Sequence, residues 1–152
     1  MTVIKSGTAK INQSHANDPL GDFRTELISD TGGLSQFGAC VEELAPGAWS
    51  SLAHWHAEED EMVLLLSGQV TLYEDGVATL LAPGDAACWK AGVPLAHRMR
   101  NHTDVPARYV VVGTRAPQDK VTYPDQDRVQ HLDRDTGTRW FTTLAGDPAD
   151  AP

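Results

Sequence analysis

The chain reads as all-β: an antiparallel sandwich or barrel with an extended arm at each end. Three observations predict this. Turn signals punctuate the middle at short intervals, at Gly32-Gly33, Pro46-Gly47, Ser67-Gly68, Asp75-Gly76, Pro83-Gly84, Gly92 with Pro94, and Asp104 with Pro106. Short runs rich in Val, Leu, Tyr, Trp and Thr fill the intervals, the pattern of brief strands joined by tight turns. No long amphipathic helical stretch interrupts them.

Residues 1–33 are rich in Asp, Pro, Gly and Thr and form the amino-terminal arm, with a weak strand-like piece at Arg24 to Ile28. The core runs over 34–115. Within it, His54-Trp55-His56 as a strand sets both imidazoles on one face, about 7 Å apart, and turns Trp55 the other way. A large aromatic on the outer face needs a cover, either the amino-terminal arm or a second subunit. The acidic run Glu58-Glu59-Asp60-Glu61 reads as a solvated hairpin tip with one member turned inward. A turn over Ala57 to Asp60 returns the chain beside the histidine pair and brings Glu61 to it. If Glu61 faces inward, Val63, Leu65 and then Ser67 share its face. Asp75-Gly76 between Val70 to Tyr73 and Ala78 to Leu81 supplies the positive φ of a tight primed turn. The run from His97 sorts in the same way: Met99 and Asn101 go with His97, while Arg98, Arg100 and His102 point out. Val110 to Val112 reads as a strand buried on both sides. Residues 116–152 form the second arm, with strand-like pieces at Arg128 to Leu132 and Arg139 to Leu144. No internal repeat occurs, and 152 residues accommodate one domain rather than two barrels.

Composition narrows the function classes. Hydrophobic residues make up 41% of the chain and charged ones 22%, as in one soluble domain with one core. No apolar run reaches membrane-span length, and the first residues lack the apolar centre of a secretion signal, so the expected location is the cytoplasm, with no membrane partner. A net charge of −9 without a basic stripe disfavours nucleic acid. Cys40 and Cys88 sit in apolar runs with no cysteine near either, as buried free thiols rather than a disulfide framework or a zinc knuckle.

The chemistry concentrates in two blocks. Gly47, His54, His56, Glu61 and Gly68 stand in the first; His97 and Asn101, four residues apart, stand in the second. Together these blocks resemble the two motifs of the cupin superfamily: a glycine, an H-x-H pair, a glutamate three or four residues on and a glycine six residues beyond, followed later by a third histidine. Two places depart from the pattern. Lys90 stands where the family has proline, and four residues rather than two separate Gly92 from His97. Gly113-Thr114-Arg115 and Tyr123-Pro124-Asp125 also look like the small single-domain bacterial cupins, a subgroup without a defined chemistry, and the likeness runs from about Gly33 to about Arg128.

The resemblance implies a jelly-roll barrel and a metal site in which His54, His56, Glu61 and His97 hold one divalent transition ion, whether Fe, Mn, Ni, Co or Zn. His97 either completes that set or stands beside it as a pocket residue. Three imidazoles and one carboxylate leave two of six octahedral positions for a small polar substrate, and the implied chemistries are isomerase, lyase or dioxygenase. The alternative is a non-catalytic module that binds a small molecule or metal. A homodimer is expected. Arg98 and Arg100, turned out of the cavity to pair with surface carboxylates, argue against a sugar phosphate inside it. His15, His102 and His131 read as surface groups. Trp49, Trp89 and Trp140 read as packing. Tyr73, Tyr109 and Tyr123 are the phenols available for proton transfer, and the sequence selects none of them.

Overall fold

The computed structural model describes residues Met1–Pro152. In chain order it contains β1 (Lys10–Gln13), β2 (Phe23–Leu27), a five-residue helix α1 (Ile28–Gly32), β3 (Phe37–Leu44), β4 (Trp55–His56), β5 (Glu61–Ser67), β6 (Val70–Glu74) and β7 (Val77–Leu81). Then come β8 (Ala86–Trp89), β9 (His97–Arg100), β10 (Ala107–Thr114), β11 (Gln118–Tyr123), β12 (Arg128–Asp133), β13 (Thr138–Thr142) and β14 (Pro148–Ala149). These strands make three antiparallel sheets, ordered β1-β2-β3-β10-β5-β8, β14-β13-β12-β11-β4 and β7-β6-β9. The fold is predominantly β, as the turn spacing predicts.

The predicted hairpin is present. Asp75 and Gly76 both have positive φ, 46° and 75°, and Glu74 pairs with Val77 across them. The strand-like pieces near the ends are the regular strands β2, β12 and β13; with β1, β11 and β14, which the sequence does not mark, they extend the largest sheet and build the second. β4 joins that second sheet, with Trp55 opposite Thr122. The strand beside Trp55 therefore comes from the carboxy-terminal segment, not from the amino-terminal arm.

The core draws on the large and small sheets together: Leu44, Val63, Leu65, Ala107 and Tyr109 from one, Val70, Leu72, Leu81 and Met99 from the other. Alternation explains these choices. Glu61, Val63 and Leu65 share the inner face of β5, but Ser67 is exposed, because a register shift against Arg108 and Tyr109 breaks the alternation after Leu65. Val110 to Val112 are half-buried rather than covered on both sides. Cys88, expected inside, is exposed on the edge strand β8, while Cys40 is half-buried.

Gly68 shows why the motif requires glycine. Its φ is 76°, and a Cβ there would lie 2.7 Å from both Ala107 Cα and the Pro106 carbonyl oxygen. Gly68→Ala should destabilise the fold by about 2 kcal/mol through positive-φ strain plus overlap with rigid backbone. The denaturant midpoint of the variant measures it, and an unchanged midpoint refutes it.

Candidate metal centre

The backbone brings the second block to the first. His54 N–H donates to the His97 carbonyl at 3.2 Å and His97 N–H to the His54 carbonyl at 2.9 Å, so the two residues face each other as a cross-strand pair. Their ring centroids are 5.1 Å apart, and those of His54 and His56 are 5.2 Å apart. Glu61, at the start of β5, completes the group: its carboxylate oxygens lie 3.5 Å from His56 Nε2 and 3.9 Å from His97 Nε2. It arrives there without the predicted hairpin, because β5 pairs with β8 and β10 while β4 pairs with β11.

Each imidazole has its Nδ1 engaged by an acceptor. His54 Nδ1 donates to the Leu52 carbonyl at 2.8 Å, His56 Nδ1 to Asp119 Oδ2 at 2.7 Å, and His97 Nδ1 to the Leu95 carbonyl at 3.4 Å. A neutral imidazole that donates through Nδ1 keeps a free lone pair on Nε2. His97 Nε2 is buried and has no hydrogen-bond partner. Such an orphan costs free energy unless something coordinates it. Ligand atoms of His54, His56 and Glu61 lie within 4.8 Å of one another, and bond lengths of about 2.1 Å place neighbouring ligands of one ion about 3 Å apart. Those three residues fit a divalent ion after a small contraction, with His97 Nε2 outside the set, and the mixed N/O donors suit a transition metal.

Electrostatics favour neutral rings at His54 and His97. Burial, followed by the neighbouring imidazole charge, lowers His97 to about 3; burial, with His56 adding to it, lowers His54 to about 4. For His56, burial pulls down but the Asp119 hydrogen bond and the Glu61 charge outweigh it, so its pKa is raised. Burial raises Glu61, against the pull of His56. In the metal-free protein the unfolded chain protonates His97 below about 6.5 while the folded state refuses the proton. This part of the stability is thus complete above 6.5 and is lost as pH falls toward 3. His97→Gln should therefore flatten the acid side of the stability curve by up to about 1.4 kcal/mol per pH unit. Chelator-treated samples unfolded in urea between pH 7 and 4 test this, and parallel curves for variant and wild type overturn it.

Several neighbours escaped the sequence reading. Asp119, 2% exposed on β11, holds His56 and also accepts from the Glu58 N–H at 3.0 Å. Trp89 stacks on His97 at 3.8 Å and donates Nε1–H to Glu74. Two members of the acidic run turn inward, not one. Glu59 is buried, and its Oε1 receives both Nε and Nη2 of Arg134, at 3.1 and 2.8 Å. Parity at β9 holds: His97, Met99 and Asn101 are buried, and Asn101 ties down the following loop through the Leu44 and Val105 carbonyls. Arg98 and Arg100, however, lie over the Trp49 ring at 4.1 and 5.0 Å rather than on carboxylates. Outside the group, His15 contacts Asp18, His102 the Tyr73 hydroxyl, and His131 stacks on Trp140.

A family profile described as Cupin domain matches residues 40–113. The chain is 36% identical to a sugar phosphate isomerase of the cupin superfamily from Silicibacter pomeroyi, with 99% of this chain and 98% of that one covered and a TM-score of 0.87. The chain belongs to the cupin superfamily. A protein from Acidithiobacillus ferrooxidans is 24% identical over 99% of this cupin and 97% of its own length, with a TM-score of 0.84. A cupin 2 conserved barrel domain protein from Salinispora arenicola is 20% identical over 76% and 90%, with a TM-score of 0.60. These last two share the fold alone. No curated protein matches this cupin. No helix in it is long and apolar enough to cross a membrane.

Proposed function

We propose that this cupin is a metal-dependent isomerase of small α-hydroxy carbonyl compounds. The observation that carries the reading is the buried, partnerless Nε2 of His97 beside two imidazoles and a carboxylate. His54, His56, Glu61 and His97 hold the ion, which when bound supplies Lewis-acid polarisation of the substrate carbonyl. The name of the Silicibacter relative, sugar phosphate isomerase, agrees with this class. The cavity at the site measures about 150 Å³, the room of about five water molecules. Arg98 is the one cation in its wall, and its guanidinium is committed to Trp49. The hydroxy-carbonyl end of a substrate enters, and any phosphate stays outside.

In the same reading, residues 1–152 are one domain. The 34–115 segment closes as a jelly-roll barrel, and segments 1–33 and 116–152 pack on it or on the partner in a cytoplasmic homodimer. The test is a panel of trioses, tetroses and pentoses with their phosphates, assayed on chelated and metal-reloaded protein. Turnover that chelator abolishes, that Zn(II) restores and that proceeds without oxygen supports an isomerase and removes the dioxygenase version. A thermal shift with no product across the panel leaves a binding module instead.

A further inference from the structure

The same cavity contains a second carboxylate that metal binding does not use. Glu42, on β3, lies opposite Thr25 on β2 and opposite Tyr109 on β10, three cross-strand neighbours in a row on the inner face. Both neighbours donate to it: Thr25 Oγ1 at 3.1 Å to Oε2, and the Tyr109 hydroxyl by a short bond to Oε1. Glu42 and Tyr109 line the cavity together with His54, Glu61 and His97. A carboxylate set among apolar core residues with only neutral hydroxyls for partners is expensive, and an apolar residue of equal size would pack there at lower cost. Carboxylates placed like this in a cleft are candidates for proton transfer.

We propose that Glu42 is the acid–base group that moves a proton between the two carbons of the α-hydroxy carbonyl substrate, with Tyr109 and Thr25 as positioning residues. This rests on the isomerase reading above. The Glu42 carboxylate takes the proton from the hydroxyl-bearing carbon as that C–H pair becomes a carbon–carbon double bond and the carbonyl π pair moves onto the carbonyl oxygen, giving an enediolate. The same proton then returns to the former carbonyl carbon, while the hydroxyl proton passes from one substrate oxygen to the other. Atoms and electrons balance without a co-reactant.

The test compares wild type, Glu42→Gln and Glu42→Asp, all metal-loaded, with glyceraldehyde and dihydroxyacetone in deuterated water followed by proton NMR. Glutamine keeps the shape, accepting from Tyr109 and facing Thr25 with its amide. Calorimetry with glycolohydroxamate, an enediol mimic, supplies a readout independent of turnover. The expected result is a kcat lowered at least about 100-fold in Glu42→Gln, with KM little changed, metal content intact, and weaker glycolohydroxamate binding; Glu42→Asp recovers part of the rate. Wild-type exchange together with full activity in Glu42→Gln overturns the role of Glu42 and leaves the isomerase standing. Loss of metal in both variants makes Glu42 a support of the metal centre and also overturns it. A metal-loaded wild type inert toward the two trioses and the whole sugar panel overturns both readings.

Discussion

His54→Ala combined with His56→Ala should remove stoichiometric metal from the purified protein. Losing an outer-sphere partner alone typically lowers metal affinity up to about 100-fold, so the loss of two direct ligands must exceed that. The remaining pair, Glu61 and His97, are 3.9 Å apart and offer one carboxylate and one imidazole. The effect also reads out in stability. An ion present at about 100 times its dissociation constant stabilises the folded state by about 2.7 kcal/mol. In a chain of this size that corresponds to roughly 5–11 °C in Tm, which metal confers on wild type and withholds from the double variant. Elemental analysis and paired thermal scans with and without metal measure both effects. A double variant that retains one ion per chain and the same metal-dependent shift would remove these histidines from the centre.

The parts of this site that were legible in the sequence are those fixed by short-range rules. Period-two alternation places His54 with His56, and His97 with Met99 and Asn101, because a strand leaves a side chain only two directions. The Asp75-Gly76 turn is equally local, as its φ values depend on two residues. What stayed hidden depends on pairings far apart in the chain. Asp119 reaches His56 because β11 pairs with β4, a contact spanning 63 residues that no periodicity announces. Glu42 looks like half of an ordinary Glu-Glu pair until Thr25 and Tyr109 appear on either side of it. Arg98 and Arg100 alternate with the buried side chains of β9, but both lie on Trp49, which comes near only through its bridge to Arg100, and Arg98 borders the cavity that parity alone turns it away from. The glycine motif, by contrast, has its physical content at Gly68, where the neighbouring backbone leaves no room for a Cβ.

Asp119→Asn should weaken metal binding by about 10- to 100-fold while leaving all four proposed ligands in place. Two donors converge on the Asp119 carboxylate, His56 Nδ1 at 2.7 Å and the Glu58 N–H at 3.0 Å. An amide has one acceptor oxygen and one donor nitrogen, so it satisfies one of these and confronts the other. If the oxygen turns to Glu58, His56 loses the acceptor that fixes its tautomer, and Nε2 is no longer reserved for the ion. If it turns to His56, the bond survives without the charge that makes the imidazole a better donor to metal. The same charge now raises His56, so its titration should move down in the metal-free variant. Chelator competition measures the affinity, and imidazole NMR follows the titration. Because Asp119 lies beyond residues 40–113, the result also decides whether the carboxy-terminal sheet belongs to the centre or only shelters it. Wild-type affinity with an unmoved His56 would mean that β4 alone sets the ring, and the five-stranded sheet would then have no part in the chemistry.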